Sequence, residues 1–152
     1  MRKLYLLISL FAMVLTTTAE PLWMRYPALS PDGKQIAFTY KGCIYVVPSV
    51  GGAAQRVTPS AGYSYAPVWS PDGKTLAYAN DHYGNFDIFT VSAQGGTPLR
   101  VTTNSAKETP YAFSNDGKRI YFGASIYDPS QSALFPKSSM SELYSIPVQG
   151  GR

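Results

Sequence analysis

Leu76 and Tyr78 alternate with Ala77 and Ala79, a period of two that gives one strand a bulky face and a small face. Ile36 and Phe38 repeat the contrast around Ala37, and Ile120 and Phe122 repeat it around Tyr121 and Gly123. Each alternating run is entered through a corner: Ser30-Pro31-Asp32-Gly33-Lys34, Ser70-Pro71-Asp72-Gly73-Lys74 and Ser114-Asn115-Asp116-Gly117-Lys118. Proline presets the first turn angle of such a corner, and glycine accepts a positive one. Asn115 replaces the proline in the third copy, which loosens the turn preference without forbidding it. Each run is followed by a second strand-like stretch, at residues 44–47, 87–91 and 143–148, and then by a Gly-Gly pair. In the first two copies the pair leads into a closing segment that ends Arg56-Val57-Thr58 or Arg100-Val101-Thr102. In the third copy the pair is Gly150-Gly151, followed by Arg152.

Each copy therefore reads as four antiparallel strands, the fourth being Leu99-Arg100-Val101-Thr102 in the second copy, polar enough for an outer edge. A bulky face backed by a small one suits sheets stacked in series, since the large groups of one layer enter the space left by the small groups of the next. The corners start 40 and then 44 residues apart, the period of propeller blades. The predicted fold class is all-β: three consecutive antiparallel four-stranded blades of an incomplete β-propeller, at about 22–58, 62–102 and 106–152, the last lacking its fourth strand. No 3.6-residue apolar period occurs beyond the first twenty residues. Alternation of strand direction puts the tight Asp-Gly and Gly-Gly corners on one face. Everything that varies falls on the other: Lys41-Gly42-Cys43, residues 80–86 and residues 124–142. Long loops gathered on one side of a regular scaffold are where binding resides.

Residues 1–19 have the three parts of a cleavable secretory signal: Arg2 and Lys3, an apolar run over residues 4–15, and Thr17-x-Ala19. The apolar run is shorter than the roughly 18 to 20 residues a membrane-crossing helix requires. The expected location is periplasmic or secreted, without a stable membrane anchor after cleavage. The formal charge of +4 includes Arg2 and Lys3, and the remaining basic residues are spread singly along the repeats, which argues against nucleic acid as a partner. Cys43, the single cysteine, reads as a buried, inert thiol beside Ile44 and Tyr45.

The Ser-Pro-Asp-Gly-Lys corner, the Asp87-Ile88-Phe89 third strand, the Gly-Gly corner and the Arg-Val-Thr ending together resemble the TolB-type propeller repeat, over nearly all of residues 22–152. Within that group, Leu22-Trp23-Met24-Arg25-Tyr26-Pro27 behind the leader and Tyr83-Gly84-Asn85-Phe86-Asp87-Ile88-Phe89 in the second copy look most like the amino-terminal part of tricorn-type serine peptidases. The resemblance implies a propeller that filters or guides peptides ahead of a separate catalytic region. It carries no catalytic residue onto this chain, because no segment here matches the peptidase part. The resulting expectation is a non-catalytic module, cut off before its catalytic region. The alternative is a stand-alone TolB-type interaction scaffold that completes its ring by homo-oligomerisation.

The candidate ligand-binding residues are Tyr63, Tyr65, Asp81, His82, Tyr83 and Asn85, all on the variable face. His82, the only histidine, reads as a solvated loop residue or a ligand contact. No Gly-x-Ser-x-Gly elbow accompanies it, and Asp81, Asp87 and Asp128 are scattered oxygens with no metal-ligand spacing. Asp87 reads as an acceptor that ties its loop to backbone amides. Tyr63, Tyr65, Tyr83 and Tyr127, with Trp23 and Phe135, suit peptide or sugar contact or, equally, packing between blades. An enzyme site on this face has only Asp81, His82, Asp128 and Glu142 to draw on. No cofactor and no metal are expected. The expected partners are a peptide or protein on the variable face, and either missing blades or a second copy of the chain.

Overall fold

The computed structural model describes residues 23–126 and 141–151. The leader, Leu22, Tyr127, Asp128 and Phe135 lie outside the described residues. Among the described residues, eleven strands form three antiparallel sheets. The first comprises β1 (Arg25–Leu29), β2 (Gln35–Tyr40), β3 (Cys43–Pro48) and β4 (Gln55–Arg56), in that order. The second repeats it with β5 (Ser64–Trp69), β6 (Thr75–Asn80), β7 (Asp87–Ser92) and β8 (Leu99–Arg100). The third contains β9 (Glu108–Phe113), β10 (Arg119–Ala124) and β11 (Glu142–Pro147), with β11 at the edge and no fourth strand among the described residues. Strand β5 packs against both β1 and β9, so the first strands of the blades converge. This is the incomplete propeller that the repeat pattern predicts.

The repeated corner is held by the same bonds each time. Ser70 Oγ donates to Asp72 Oδ1 at 2.6 Å and accepts from Thr75 N at 2.9 Å, while Lys74 N donates to Asp72 Oδ1 at 3.0 Å. Ser30, Asp32, Lys34 and Gln35 repeat this set in blade 1, and Ser114, Asp116, Lys118 and Arg119 repeat it in blade 3. These donors hold the carboxyls of Asp32, Asp72 and Asp116 below the ordinary value, the serine hydroxyl contributing most.

The two-sided strands stack as their alternation requires. Leu76, Tyr78, Phe89 and Val91 of blade 2 meet Ala37, Ile44 and Val46 of blade 1 in one core, and Trp69 Nε1 donates to the Ala28 carbonyl at 2.9 Å across it. The other face of blade 2, with Ala77, Ile88 and Val101, receives Phe113, Ile120 and Phe122 of blade 3. Fully buried Leu76 and Ile120 are each worth about 2 kcal/mol of apolar transfer. Cys43 is buried, with Sγ 3.7 Å from the Pro59 carbonyl.

The outer strands end earlier than the sequence predicts, for a reason written in the Arg-Val-Thr motif. Val101 N donates to the Ile88 carbonyl at 2.8 Å, and Ile88 N donates to Thr102 Oγ1 at 2.8 Å. In blade 1, Val57 N and Thr58 Oγ1 make the same two bonds to Ile44, each at 2.9 Å. A threonine hydroxyl stands where a strand would present a carbonyl. The ladder therefore closes on a side chain, and β4 and β8 stop at two residues.

Candidate functional site

The turns and links opposite the corner face are laced together. Ser64 N donates to the Gly42 carbonyl at 2.8 Å, and Tyr63 N donates to Asp81 Oδ1 at 2.6 Å. Asn80 Nδ2 donates to the Ala61 carbonyl and to Ser64 Oγ, while its Oδ1 accepts from His82 N at 2.8 Å. Gly62, at φ 73°, passes so close that a Cβ there would sit 2.7 Å from Asp81 Oδ1. Asp81 is thereby committed to shaping the link that carries Tyr63. Asn85 Nδ2 donates to the carbonyls of Asn104 at 2.7 Å and Ala106 at 3.1 Å, pinning its loop to the β8–β9 link.

Where the first strands converge, the face carries an aromatic cluster. The Tyr65 ring lies 5.4 Å from Tyr26, 6.4 Å from Tyr63 and 4.9 Å from Phe86. Lys107 Nζ stands 5.6 Å above Tyr65 and 5.3 Å above Phe86, within cation–π range. Tyr65 is only 8% exposed and its hydroxyl shares a 2.8 Å hydrogen bond with Thr109 Oγ1, so it forms the floor. Tyr26, at 47% exposure, and Tyr63 present their rings to solvent. Tyr26 has a left-handed backbone, φ 52°, at a bulge between β1 and β2, and Ala66 has the same φ in blade 2. Pro110 occupies the matching position in blade 3, and its ring forbids that φ. Non-glycine residues held there cost of order 1–3 kcal/mol and gather at functional sites.

Further out, Tyr83 is 58% exposed, meets His82 edge-on at 4.7 Å and lies parallel to Phe89 at 6.3 Å. The Arg100 guanidinium carbon stands 4.2 Å from the Tyr83 ring centre, and Nη2 reaches Asp87 Oδ2 at 2.6 Å. Asp87 thus anchors the fourth strand through its arginine, beside a long contact of 3.3 Å from Asn85 Nδ2. Burial raises its carboxyl above the ordinary value, opposed by Arg100 and Asn85. Glu108, 1% exposed, completes the group, and its Oε2 has no hydrogen-bond partner among the described residues. Burial pushes its carboxyl up to about 7, opposed by the Thr102 hydrogen bond, reinforced by Asp87 and eased by Arg100. Glu108 was not visible as a special residue in the sequence; the one signal was a glutamate at the register position that Ser64 holds in blade 2.

The chain matches, over residues 21–152, the family described as the tricorn protease N-terminal beta propeller domain. It belongs to that family. A protein of Agrobacterium fabrum, uncharacterized protein Atu1656, is 34% identical over 102 residues, covering 64% of this chain and 34% of that protein. Tricorn protease homolog 1 of Streptomyces coelicolor is 31% identical over 90 residues, covering 59% of this chain and 8% of the homolog. The chain thus spans about a third or less of the length of these relatives. The crystal structure of TolB from Acinetobacter baumannii superposes on 86% of this chain and 31% of its own, with a TM-score of 0.66 at 22% identity, a likeness of fold.

The family's propeller brings Tyr63, Tyr65 and Asp81 of the expected residues into one cluster, joined by Tyr26, Phe86 and Lys107. His82 and Tyr83 form a second, outer group, and Asn85 holds the loop between the two. Among the described residues, no three of His, Cys, Asp and Glu are placed to hold a metal ion.

Proposed function

We propose that this propeller is the peptide-recognition part of an exported tricorn-like serine peptidase, a non-catalytic module that receives substrate on its loop face. One observation carries the reading: exposed Tyr26 and Tyr63 flank a buried aromatic floor beneath the Lys107 cation, at the point where the first strands converge. Rings of this kind bind apolar peptide side chains, and the cation favours an acidic neighbour. Tyr83 and His82 extend the contact outward, while Tyr65, Asp81 and Asn85 hold the surface in shape. Peptidase action is assigned to a separate region; one relative is named tricorn protease homolog 1, and this chain covers 8% of it. The leader, cut after Ala19, delivers the chain to the periplasm or beyond; amino-terminal sequencing of the exported protein reads the cut directly.

The test is fluorescence anisotropy of the 152-residue chain with a labelled peptide of mixed aromatic and acidic residues. Saturable binding without any cleavage product is expected, and Tyr63→Ala and Lys107→Ala should each weaken it about fivefold, the worth of one aromatic or cation–π contact. Cleavage by this chain, or binding indifferent to both substitutions, would refute the proposal. A second reading is favoured by Tyr111, Tyr121 and Leu143, which are exposed on blade 3. It is a scaffold that closes its ring by self-association. Sedimentation decides it: a doubled mass supports this reading, and a monomer at tens of micromolar rejects it.

A further inference from the structure

Two acids stand directly behind the aromatic cluster of the loop face, each next in the chain to one of its residues: Asp87 follows Phe86, and Glu108 follows Lys107. Successive residues of an extended chain point to opposite sides. Lys107 reaches the rings of Tyr65 and Phe86, and Thr109 shares a hydrogen bond with the Tyr65 hydroxyl, while Glu108 between them is buried in the seam of blades 2 and 3. Glu108 N ties the two sides together by donating to the Phe86 carbonyl at 2.8 Å. A shift of Glu108 out of the seam therefore carries Lys107 and Thr109 away from Phe86.

This seam holds more acid than base. Facing Glu108 are Asp87 from β7, Arg100 from β8, and Thr102, two residues beyond β8, which hydrogen-bonds the carboxyl. Arg100 Nη2 is committed to Asp87 at 2.6 Å, and both Arg100 Nε and Glu108 Oε2 are buried without hydrogen-bond partners. Ala124, opposite Glu108 on β10, brings no charge, and Lys107 on the same segment is turned to the rings. The seam between blades 1 and 2 has no acid at the same positions. Cys43 stands for Asp87, Ser64 for Glu108 and Asn80 for Ala124, and Asn80 Nδ2 donates to Ser64 Oγ at 2.9 Å. Ser64 N makes the matching backbone bond, to the Gly42 carbonyl at 2.8 Å. One seam is thus closed by a neutral, paired contact and the next by a carboxyl group. A buried carboxylate without a full set of partners is costly, whereas its protonated form is far less so.

We infer that Glu108 is a positioning residue for the loop face and works as an acid latch: protonated, it keeps the seam shut with Phe86 beneath Lys107; ionised, it draws water and lets this end of the seam open. Control of peptide binding by the latch rests on the loop-face reading above, and the latch itself does not. Burial holds the proton up to about 7, so the latch works between weakly acidic and weakly alkaline pH.

Hydrogen exchange of the full chain at pH 5.5 and pH 8, corrected for the intrinsic rate, reads such an opening at single amides. Protection of the Glu108 amide should fall about tenfold or more between the two, since the carboxyl ionises near its ordinary value once the seam is open and so drives the opening. The Ser64 amide, which makes the same bond in the seam without acids, should hold level. In Glu108→Gln the amide of residue 108 should become indifferent to pH. A peptide of mixed aromatic and acidic residues, at about ten times its Kd, should raise protection of the Glu108 amide about tenfold at pH 8, because it binds the closed seam. A Glu108 amide that ignores pH, a Ser64 amide that falls by the same factor, or a pH response retained in Glu108→Gln overturns the latch. A peptide that binds without protecting this amide overturns its link to the site. Absence of peptide binding beside an intact pH response strikes the loop-face reading and leaves the latch supported.

Discussion

Glu108→Gln should make the propeller more stable at pH 8 while changing little at pH 4.5. The Glu108 carboxyl is almost wholly buried between blades 2 and 3, and that burial pushes it up to about 7 from 4.5. Below pH 4.5 the group is protonated in folded and unfolded chains alike and costs nothing. Between 4.5 and 7 the unfolded chain releases the proton while the folded chain keeps it, so stability falls as pH rises. Above 7 both forms are ionised and the whole penalty stands. At 1.4 kcal/mol per pH unit the difference amounts to at most about 3.5 kcal/mol. Asp87, also raised by burial, has the same sign but starts from its lower ordinary value of 3.8. Glutamine keeps an acceptor for the Thr102 hydroxyl and cannot ionise. Thermal melts of wild type and variant, followed by circular dichroism from pH 4.5 to 8, isolate Glu108, because every other group titrates in both proteins. The difference in midpoint should be near zero at pH 4.5 and grow to roughly 10 °C at pH 8. Parallel curves, or a variant less stable at pH 8, would show that the carboxylate is well solvated or well paired, and the reasoning would fail.

Two glycines separate crowding by a fixed backbone from crowding by a movable ring. Gly62→Ala combines φ 73° with contacts of 2.7 Å to Asp81 Oδ1 and 2.8 Å to His82 N, and should cost on the order of 2–3 kcal/mol in a chemical melt. Gly123→Ala meets the Tyr111 ring first, and that ring is exposed and can swing aside, so it should cost less than about 1 kcal/mol. A larger loss at Gly123 than at Gly62 contradicts both assignments. Thr102→Val deletes the acceptor for the buried Ile88 N–H and should cost about 1–3 kcal/mol, with hydrogen exchange accelerated at Ile88; unchanged exchange there would remove the hydroxyl from the ladder.

The scaffold was legible because its code is local. A corner closed by Ser70, Asp72 and Thr75 spans six residues, so residue types at fixed offsets announce it. The bulky and small faces of β6 follow from a period of two, and stacking follows from them. The outer strand is shorter than its residues suggest because a threonine hydroxyl can stand in for a ladder carbonyl. Leu99 to Thr102 looks like four strand residues, but pairing stops at Arg100 and Thr102 finishes the job through its side chain. The sequence makes Asp87 an acceptor for backbone amides, whereas its principal partner is Arg100, which only the pairing of β7 with β8 brings near.

The site was harder to read because its properties are differences between chemically alike residues in distant segments. Tyr63 and Tyr65 are two positions apart and both aromatic, yet one is half open and the other sealed by Thr109, a residue of the next blade. Tyr26 reached the cluster from the first blade through a bulge whose positive φ no residue type there requires. Glu108 became special only when blades 2 and 3 closed over it. A repeat protein reuses one set of local instructions, and so its sequence describes each blade far better than the seams. Function in such a stack collects at the seams, where residues from neighbouring copies meet without having to match the repeat. The residues worth substituting first are therefore those that depart from the repeat and sit between blades: Tyr26, Lys107 and Glu108.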